Sequence, residues 1–256
     1  MIGSAGPGII LVRPQLGENV GMAARAMANF GLTDLRLVAP RDGWGEGSAV
    51  YSAAVDAAVG AHGIVRAAPV FPDVASAAAD RRKLFATTAR ERDQAQPVVT
   101  PEAFAAETKA RIAADQSVGI LFGAERTGLT NEEVGLADAI VTFPVNPAFP
   151  SLNLAQSVSL VCYEWFKAAT GGGAPFTLQH VTPPASHGQI TSFFDHLESE
   201  LEQGDYFIPD GKRAVMSRNL RNIFRRIELT EADVQTLRGV VVALARGRRR
   251  RKGPAA

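Results

Sequence analysis

The stretch FPVNPAFPSLNLAQSVSLVCYE, Phe143 to Glu164, decides how this chain folds. It continues an apolar, strand-like run that begins at Ala139, crosses a turn rich in Pro and Asn, and opens into a helical pattern near Ser151. Pro144, Pro147 and Pro150 each fix φ and remove an amide donor, so the turn is stiff. Ser151 and Asn153 set short polar side chains beside the unpaired amides of the coming helix. A strand–turn–helix elbow of this kind can face a phosphate or a cofactor. It can equally be a plain loop with Ser151 as helix cap.

Outward from this elbow the chain repeats the same alternation. Gly8 to Val12 is a short apolar run ended by Pro14 and reads as a buried strand. In GENVGMAARAMANFGL, Gly17 to Leu32, Val20, Ala23, Ala24, Met27 and Phe30 recur at helical spacing, with Gly31 as the stop. Asn19 and Arg25 stand at its start and two turns in, where both could line a groove above a neighbouring strand end; Arg25 could also be a plain surface arginine. Leu35 to Ala39 is a second strand, Ser48 to Val59 a helix, Ile64 to Ala67 a short strand, and Asp73 to Ala79 a short helix capped by Asp73. Lys83 to Thr88 is a further strand whose polar exit, TTARER, makes Thr87 and Thr88 candidate ligand contacts, because open parallel sheets bind ligands beyond the carboxyl ends of strands. Thr100 to Ala114 is a helix, and Ser117 to Phe122 is a continuous apolar strand. That strand leads into GAERTGLTNEE, Gly123 to Glu133. There two glycines bracket Glu125 and Arg126, and Thr130 with Glu133 forms a capping box.

The alternation from Gly8 to Ala169 predicts an α/β fold with an open, mostly parallel sheet covered by helices on both faces. The usual nucleotide loops are missing: the first junction reads RPQLGENVG without closely spaced glycines, and there is no GK[ST]. His62, His180, His187 and His196 lack metal-ligand spacing, so no metal site is expected. Cys162, the one cysteine, reads as a small buried hydrophobe. With 46% hydrophobic and 21% charged residues, no membrane-length apolar run and no secretory pattern, the expectation is one large cytoplasmic domain with a smaller one attached.

Composition changes after Ala169. Thr170 to Ser186 is Gly- and Pro-rich and reads as a linker, followed by helices near Gln189 to Glu202, Gly211 to Arg226 and Thr230 to Arg246. The formal net charge of +1 hides an asymmetry, since the chain from Lys212 onward is strongly basic and the rest is acidic. Arg213, Arg218, Arg221 and Arg225 recur on one helix, and the terminal RGRRRRK tract, without apolar periodicity, reads as a mobile arm. This excess of one sign points to a polyanion partner.

Together NVGMAARAMANFG, LFGAERTGLTNEE and PSLNLAQSV resemble, in order, the three motifs of the SPOUT superfamily of RNA 2′-O-ribose methyltransferases. The likeness is greatest to the TrmJ-type bacterial tRNA (cytidine/uridine-2′-O-)methyltransferases, which modify nucleotide 32 of the anticodon loop. The resemblance implies a C-terminal trefoil knot in residues 1–169, a linker over 170–187 and a basic helical RNA-binding extension over 188–256, with Arg213, Arg218, Arg221 and Arg225 on RNA. It implies a homodimer acting on tRNA without a membrane, and S-adenosyl-L-methionine bound by Thr87, Thr88, Ala89, Gly123, Phe143, Pro150, Ser151 and Leu152. By the same matching Asn19, Arg25, Glu125, Ser151 and Asn153 are the reaction-site residues, with Glu125 holding Arg25 or another cation. Methylation of ribosomal RNA and a non-catalytic nucleic-acid-binding role are the competing expectations. The apolar Leu154, Val158, Val161 and Trp165 stripe is expected to supply more than one core face, as a dimer would need.

Overall fold

The computed structural model describes residues 6–41, 43–89, 95–174, 176, 182–208 and 210–251. The chain divides into two compact units, one reaching to Ala174 and one beginning at Pro175.

The first unit runs β1 (Gly8–Val12), α1 (Gly17–Asn29), β2 (Leu35–Val38), α2 (Ala49–Ala57), α3 (His62–Ala67), β3 (Val70–Phe71), α4 (Val74–Ala78), β4 (Lys83–Thr87), β5 (Val98–Val99), α5 (Pro101–Ala113), β6 (Val118–Phe122), α6 (Asn131–Gly135), β7 (Ala139–Val141) and α7 (Leu154–Thr170). The strands form one sheet in the order β3-β2-β1-β6-β4-β7-β5, and every pairing is parallel. Side chains alternate across it, as the period of two in a strand demands. Ile9, Leu11, Phe85, Ile120 and Phe122 face a core built with α1, α5 and α7, whereas Ile10, Val12, Leu84, Leu121 and Ile140 face α4 and α6. The sheet is therefore sandwiched, and β1 and β6 are buried at every residue.

Two local expectations change, and two short strands appear that the sequence did not indicate. Residues 62–67 are a helix and not a strand: Ala61 and Val65, four apart, are both buried, and that spacing outweighs the β preference of Ile64 and Val65. The edge strands β3 and β5, two residues each, are too short to show any periodicity in the sequence. The helix after the Pro-rich turn starts at Leu154, and its cap is Asn153 rather than Ser151. Asn153 Oδ1 accepts from the amides of Ala155 (2.9 Å) and Gln156 (3.3 Å), while Gln156 Oε1 accepts from the Asn153 amide. Ser151 and Leu152 therefore lie outside the helix. Gly31 ends α1 in the left-handed region (φ 73°), as its position suggested. Leu154, Val158, Val161 and Trp165 are all buried within this unit, so the stripe is core and not a surplus face. Cys162 is buried beside them, and desolvation pushes its thiol up to about 12.

The second unit holds α8 (His187–Glu202), a turn of 3-10 helix (Asp210–Lys212), α9 (Arg213–Arg225) and α10 (Glu231–Arg251). Phe193, Phe194, Leu229, Val234 and Val241 make its small core. The basic tract is not an arm as far as Arg251: it continues α10, and only Lys252 lies outside the described residues. Thr230 and Asp233 already cap that helix and Val234, Val241 and Ala245 anchor it, so extending it through arginines, which are good helix formers, carries little cost. Arg90 to Arg92 of TTARER and parts of the linker (175, 177–181) lie outside the described residues. No helix among the described residues is long and apolar enough to cross a membrane.

Candidate active site

Loops leaving the carboxyl ends of β4, β6 and β7 meet around one open cleft. Thr87, Thr88 and Ala89 line it from the first loop, Gly123 to Leu129 from the second, and Phe143, Pro150, Ser151 and Leu152 from the third, with Leu154 and Ser157 at the start of α7. All eight residues expected to touch a cofactor are on this wall. Thr87 is held in place because its hydroxyl donates to the Leu121 carbonyl at 2.9 Å. Gly123 is obligatory for steric reasons: a Cβ there would lie 2.2 Å from the backbone of Gly128 and Leu129, which folds back over it. The Gly128 amide closes that loop on the Ala124 carbonyl at 2.8 Å.

A polar chain behind the cleft joins the three sequence motifs. Asn153 spends its Oδ1 on the α7 amides, so its Nδ2 must be the donor, and it reaches Asn19 Oδ1 at 3.0 Å. Asn19, only 3% exposed, then donates its own Nδ2 to Glu125 Oε1 at 2.9 Å. The Glu125 carboxylate also accepts the amides of Gln15 (2.8 Å) and Leu16 (3.1 Å) at the entrance of α1, where unpaired amides favour negative charge. Each polar atom has one consistent role, which sets the orientation of both side-chain amides without ambiguity.

Arg25 does not join this arrangement. Six residues beyond Asn19 it has turned to another face of α1, where it is exposed, outside the cleft and without an ion-pair partner among the described residues. Asn19 and Arg25 thus do not line one groove, and Glu125 holds amides rather than a cation. Leu16 and Met22 are exposed at the start of α1, and Leu160 and Tyr163 are exposed on α7, which packs against it.

Arg13 carries no motif in the sequence, yet it braces the loop. It sits at the exit of β1 with φ 48°, bonds the Glu133 carboxylate (Nη2 to Oε2, 2.9 Å) and reaches the Gly128 carbonyl at 3.5 Å. The only hint was a charged residue placed directly after an apolar strand. Arg126 and Ser157 also line the cleft, although the motifs did not mark them as site residues; the first lies inside GAERTGL and the second one turn into the helix.

In the second unit, Arg221 is bound by Glu198 at 2.6 and 3.1 Å and lies over the Phe194 ring, and Arg213 is paired with Glu202 at 2.7 Å. Arg218 and Arg225 are exposed. The four arginines therefore split into two that are paired with carboxylates and two that have no ion pair among the described residues.

Comparison with known proteins agrees with this division. A family model described as the SpoU rRNA Methylase family matches residues 7–163, and one described as the tRNA methyltransferase TrmJ, C-terminal domain, matches residues 188–253. The tRNA (cytidine/uridine/adenosine-2′-O-)-methyltransferase TrmJ of Pseudomonas aeruginosa is 32% identical over 244 residues, covering 91% of this chain and 91% of the relative. The tRNA (cytidine/uridine-2′-O-)-methyltransferase TrmJ of Cronobacter sakazakii is 30% identical over 244 residues, covering 94% of this chain and 96% of the relative. The crystal structure of TrmJ from Z. mobilis ZM4 superposes with a TM-score of 0.81 at 46% identity, covering 94% of this chain and all of that one (100%).

Proposed function

Since the chain belongs to the SpoU methylase family, on its TrmJ branch, we propose that it transfers a methyl group from S-adenosyl-L-methionine to a ribose 2′-hydroxyl of tRNA, at cytidine or uridine 32 of the anticodon loop. The observation that carries this reading is that the second and third motifs line one cleft while Asn19 of the first is bonded to both of them. The cleft suits this cofactor: Phe143, Leu129 and Leu152 offer apolar surface, and Thr87, Thr88 and Ser151 offer hydrogen bonds. The cofactor supplies an electrophilic sulfonium methyl, and the protein's task is to hold a poor nucleophile in line with it.

Ser151 and the backbone of the Gly123 and Leu152 loops orient cofactor and ribose, while Asn19, Glu125 and Asn153 keep those loops in register. Arg25 serves as a planar clamp on RNA phosphate and stabilises the alkoxide as it develops. Its place outside the cleft favours a homodimer through the first unit, in which exposed Leu16, Met22, Leu160 and Tyr163 are covered and Arg25 reaches the second copy's cleft. Residues 188–256 then serve as the RNA-docking extension, with Arg218 and Arg225 available to phosphate. The loops around the cleft are those a trefoil knot would interlace. Calorimetry with S-adenosylmethionine tests the cofactor; absence of binding sinks the enzyme reading. Ribose-methylation mapping of RNA from a deletion strain tests the target, and loss at a ribosomal nucleotide instead of tRNA position 32 refutes it.

A further inference from the structure

Phe149 is the one large side chain that the elbow loop holds out into solvent. The residue is 77% exposed, and its ring meets no other aromatic ring among the described residues. The loop beneath it is not slack: the Phe149 amide donates to the Asn146 carbonyl at 2.9 Å, the Ala148 amide to Asn146 Oδ1 at 3.0 Å, and Pro144, Pro147 and Pro150 restrict the remaining backbone. An apolar ring kept in water on a stiff support is organised for a contact before the contact is made, which lowers the entropy lost on binding. It also stands at the cleft, since Pro150, Ser151 and Leu152, the residues that follow it, line that wall.

Arg126 lines the same cleft from the loop after β6. It is exposed and has no ion pair or hydrogen bond among the described residues, whereas Arg13, Arg36, Arg81 and Arg221 are each held by a carboxylate. The mouth of the cleft thus offers an unoccupied aromatic face and an unneutralised guanidinium. Those are the two groups that grip a single unpaired nucleotide, one on the base and one on the phosphate.

We propose that Phe149 stacks on the base of the target nucleotide and Arg126 holds a phosphate beside it, so that the cleft accepts an unstacked loop nucleotide and rejects the same ribose inside a helix. The proposal rests on the reading of this cleft as a ribose methyltransferase site. Unstacking the target removes base stacking within the RNA, and the Phe149 ring replaces it.

The test uses the full chain with Phe149→Ala, Phe149→Leu, Phe149→Trp, Arg126→Ala and Arg126→Lys. Four properties are measured: methyl transfer to tRNA at saturating S-adenosylmethionine, tRNA affinity across a salt series, S-adenosylhomocysteine affinity by calorimetry, and mass by light scattering. The Ala and Leu variants at Phe149 should lose about 5- to 150-fold in kcat/KM for tRNA, the worth of one base–aromatic stack, while Trp retains activity and cofactor affinity stays constant. Arg126→Ala should flatten the dependence of log tRNA affinity on log salt by about 0.7, one single-strand phosphate contact, and Arg126→Lys should keep it. A leucine variant as active as the parent, or an alanine variant that drops to a smaller assembly, overturns the stacking role. An unchanged salt slope in Arg126→Ala overturns the phosphate role. A parent protein that methylates no tRNA at all refutes the underlying reading instead, and the parent assay separates that case from the others.

Discussion

Asn153 Nδ2 donates to Asn19 Oδ1 at 3.0 Å, joining two residues that stand 134 positions apart in the chain. Asn153 is also the cap of α7, and Asn19 also binds Glu125, the carboxylate at the entrance of α1. One polar chain therefore fixes the relative placement of two helices and the loop between Gly123 and Leu129. Asn19 is buried and Glu125 half-buried, where a lost partner costs more than a made bond contributes.

Replacing Asn19 separates hydrogen bonding from charge. Asn19→Ala leaves the Asn153 amide and one Glu125 oxygen short of a partner and should cost about 1–3 kcal/mol of stability at pH 7. Asn19→Asp keeps the size but sets a second carboxylate against Glu125, so it should melt lower than Ala at pH 7. Two carboxylates in contact raise the pKa of one. The aspartate variant should accordingly recover stability as pH falls toward about 5 and a shared proton binds. Thermal melts at the two pH values check this; a pH-independent deficit would mean that charge plays no part.

Gly123→Ala forces a methyl group to within 2.2 Å of the Gly128–Leu129 backbone. The loop must move, and overpacking of this kind costs about 1–3 kcal/mol. Because the same loop lines the cleft, affinity for S-adenosylhomocysteine should fall with it. Calorimetry beside a melting curve shows whether the two losses go together.

Arg25 should matter to transfer and not to cofactor binding. Arg25→Ala should lower methyl transfer by about 10²–10³-fold, the range for losing one transition-state donor, with cofactor affinity unchanged because the arginine acts on the RNA and the cofactor is held by the cleft loops. Arg25→Lys should remain poor, since a point charge does not reproduce the planar fork. Near-parental activity in the lysine variant would show that charge alone suffices.

The second unit should be acid-sensitive through Glu198. The Arg221 hydrogen bond holds its carboxyl below the ordinary 4.5, followed in effect by burial, which opposes it, and by the Ser217 hydroxyl. A depressed carboxyl contributes stability that is present above its unfolded value and lost as pH falls through the folded one. Glu198→Gln should therefore lower the melting temperature at pH 7 and flatten its decline below about pH 4.5. Arg221→Ala, which strands a nearly buried carboxylate, should cost about 1.5–3 kcal/mol at pH 7.

What could be read without the fold was what local geometry enforces. The strand–helix alternation follows from periods of two and of three to four residues, and the capping box at Thr130 and Glu133 and the stop at Gly31 follow from backbone chemistry within one turn. The eight cleft residues were accessible by motif order because each lies at a strand exit or in the elbow, positions that a parallel sheet brings to one edge. A resemblance could name Glu125 and Arg25, but not whether they touch.

The tertiary structure decided that they do not. Glu125 takes its partners from Gln15, Leu16 and Asn19, more than 100 residues away, and Arg13 finds Glu133 at a separation of 120. The same holds for the choice of Asn153 over Ser151 as a helix cap, and for the helix at residues 62–67. In each case the local preferences of the competing conformations differ by no more than about 1 kcal/mol. Burial of an apolar side chain or satisfaction of a buried polar group contributes about 1–3 kcal/mol. Burial and polar pairing of that strength arise only once distant segments are packed together, so packing, not propensity, settled which polar groups meet.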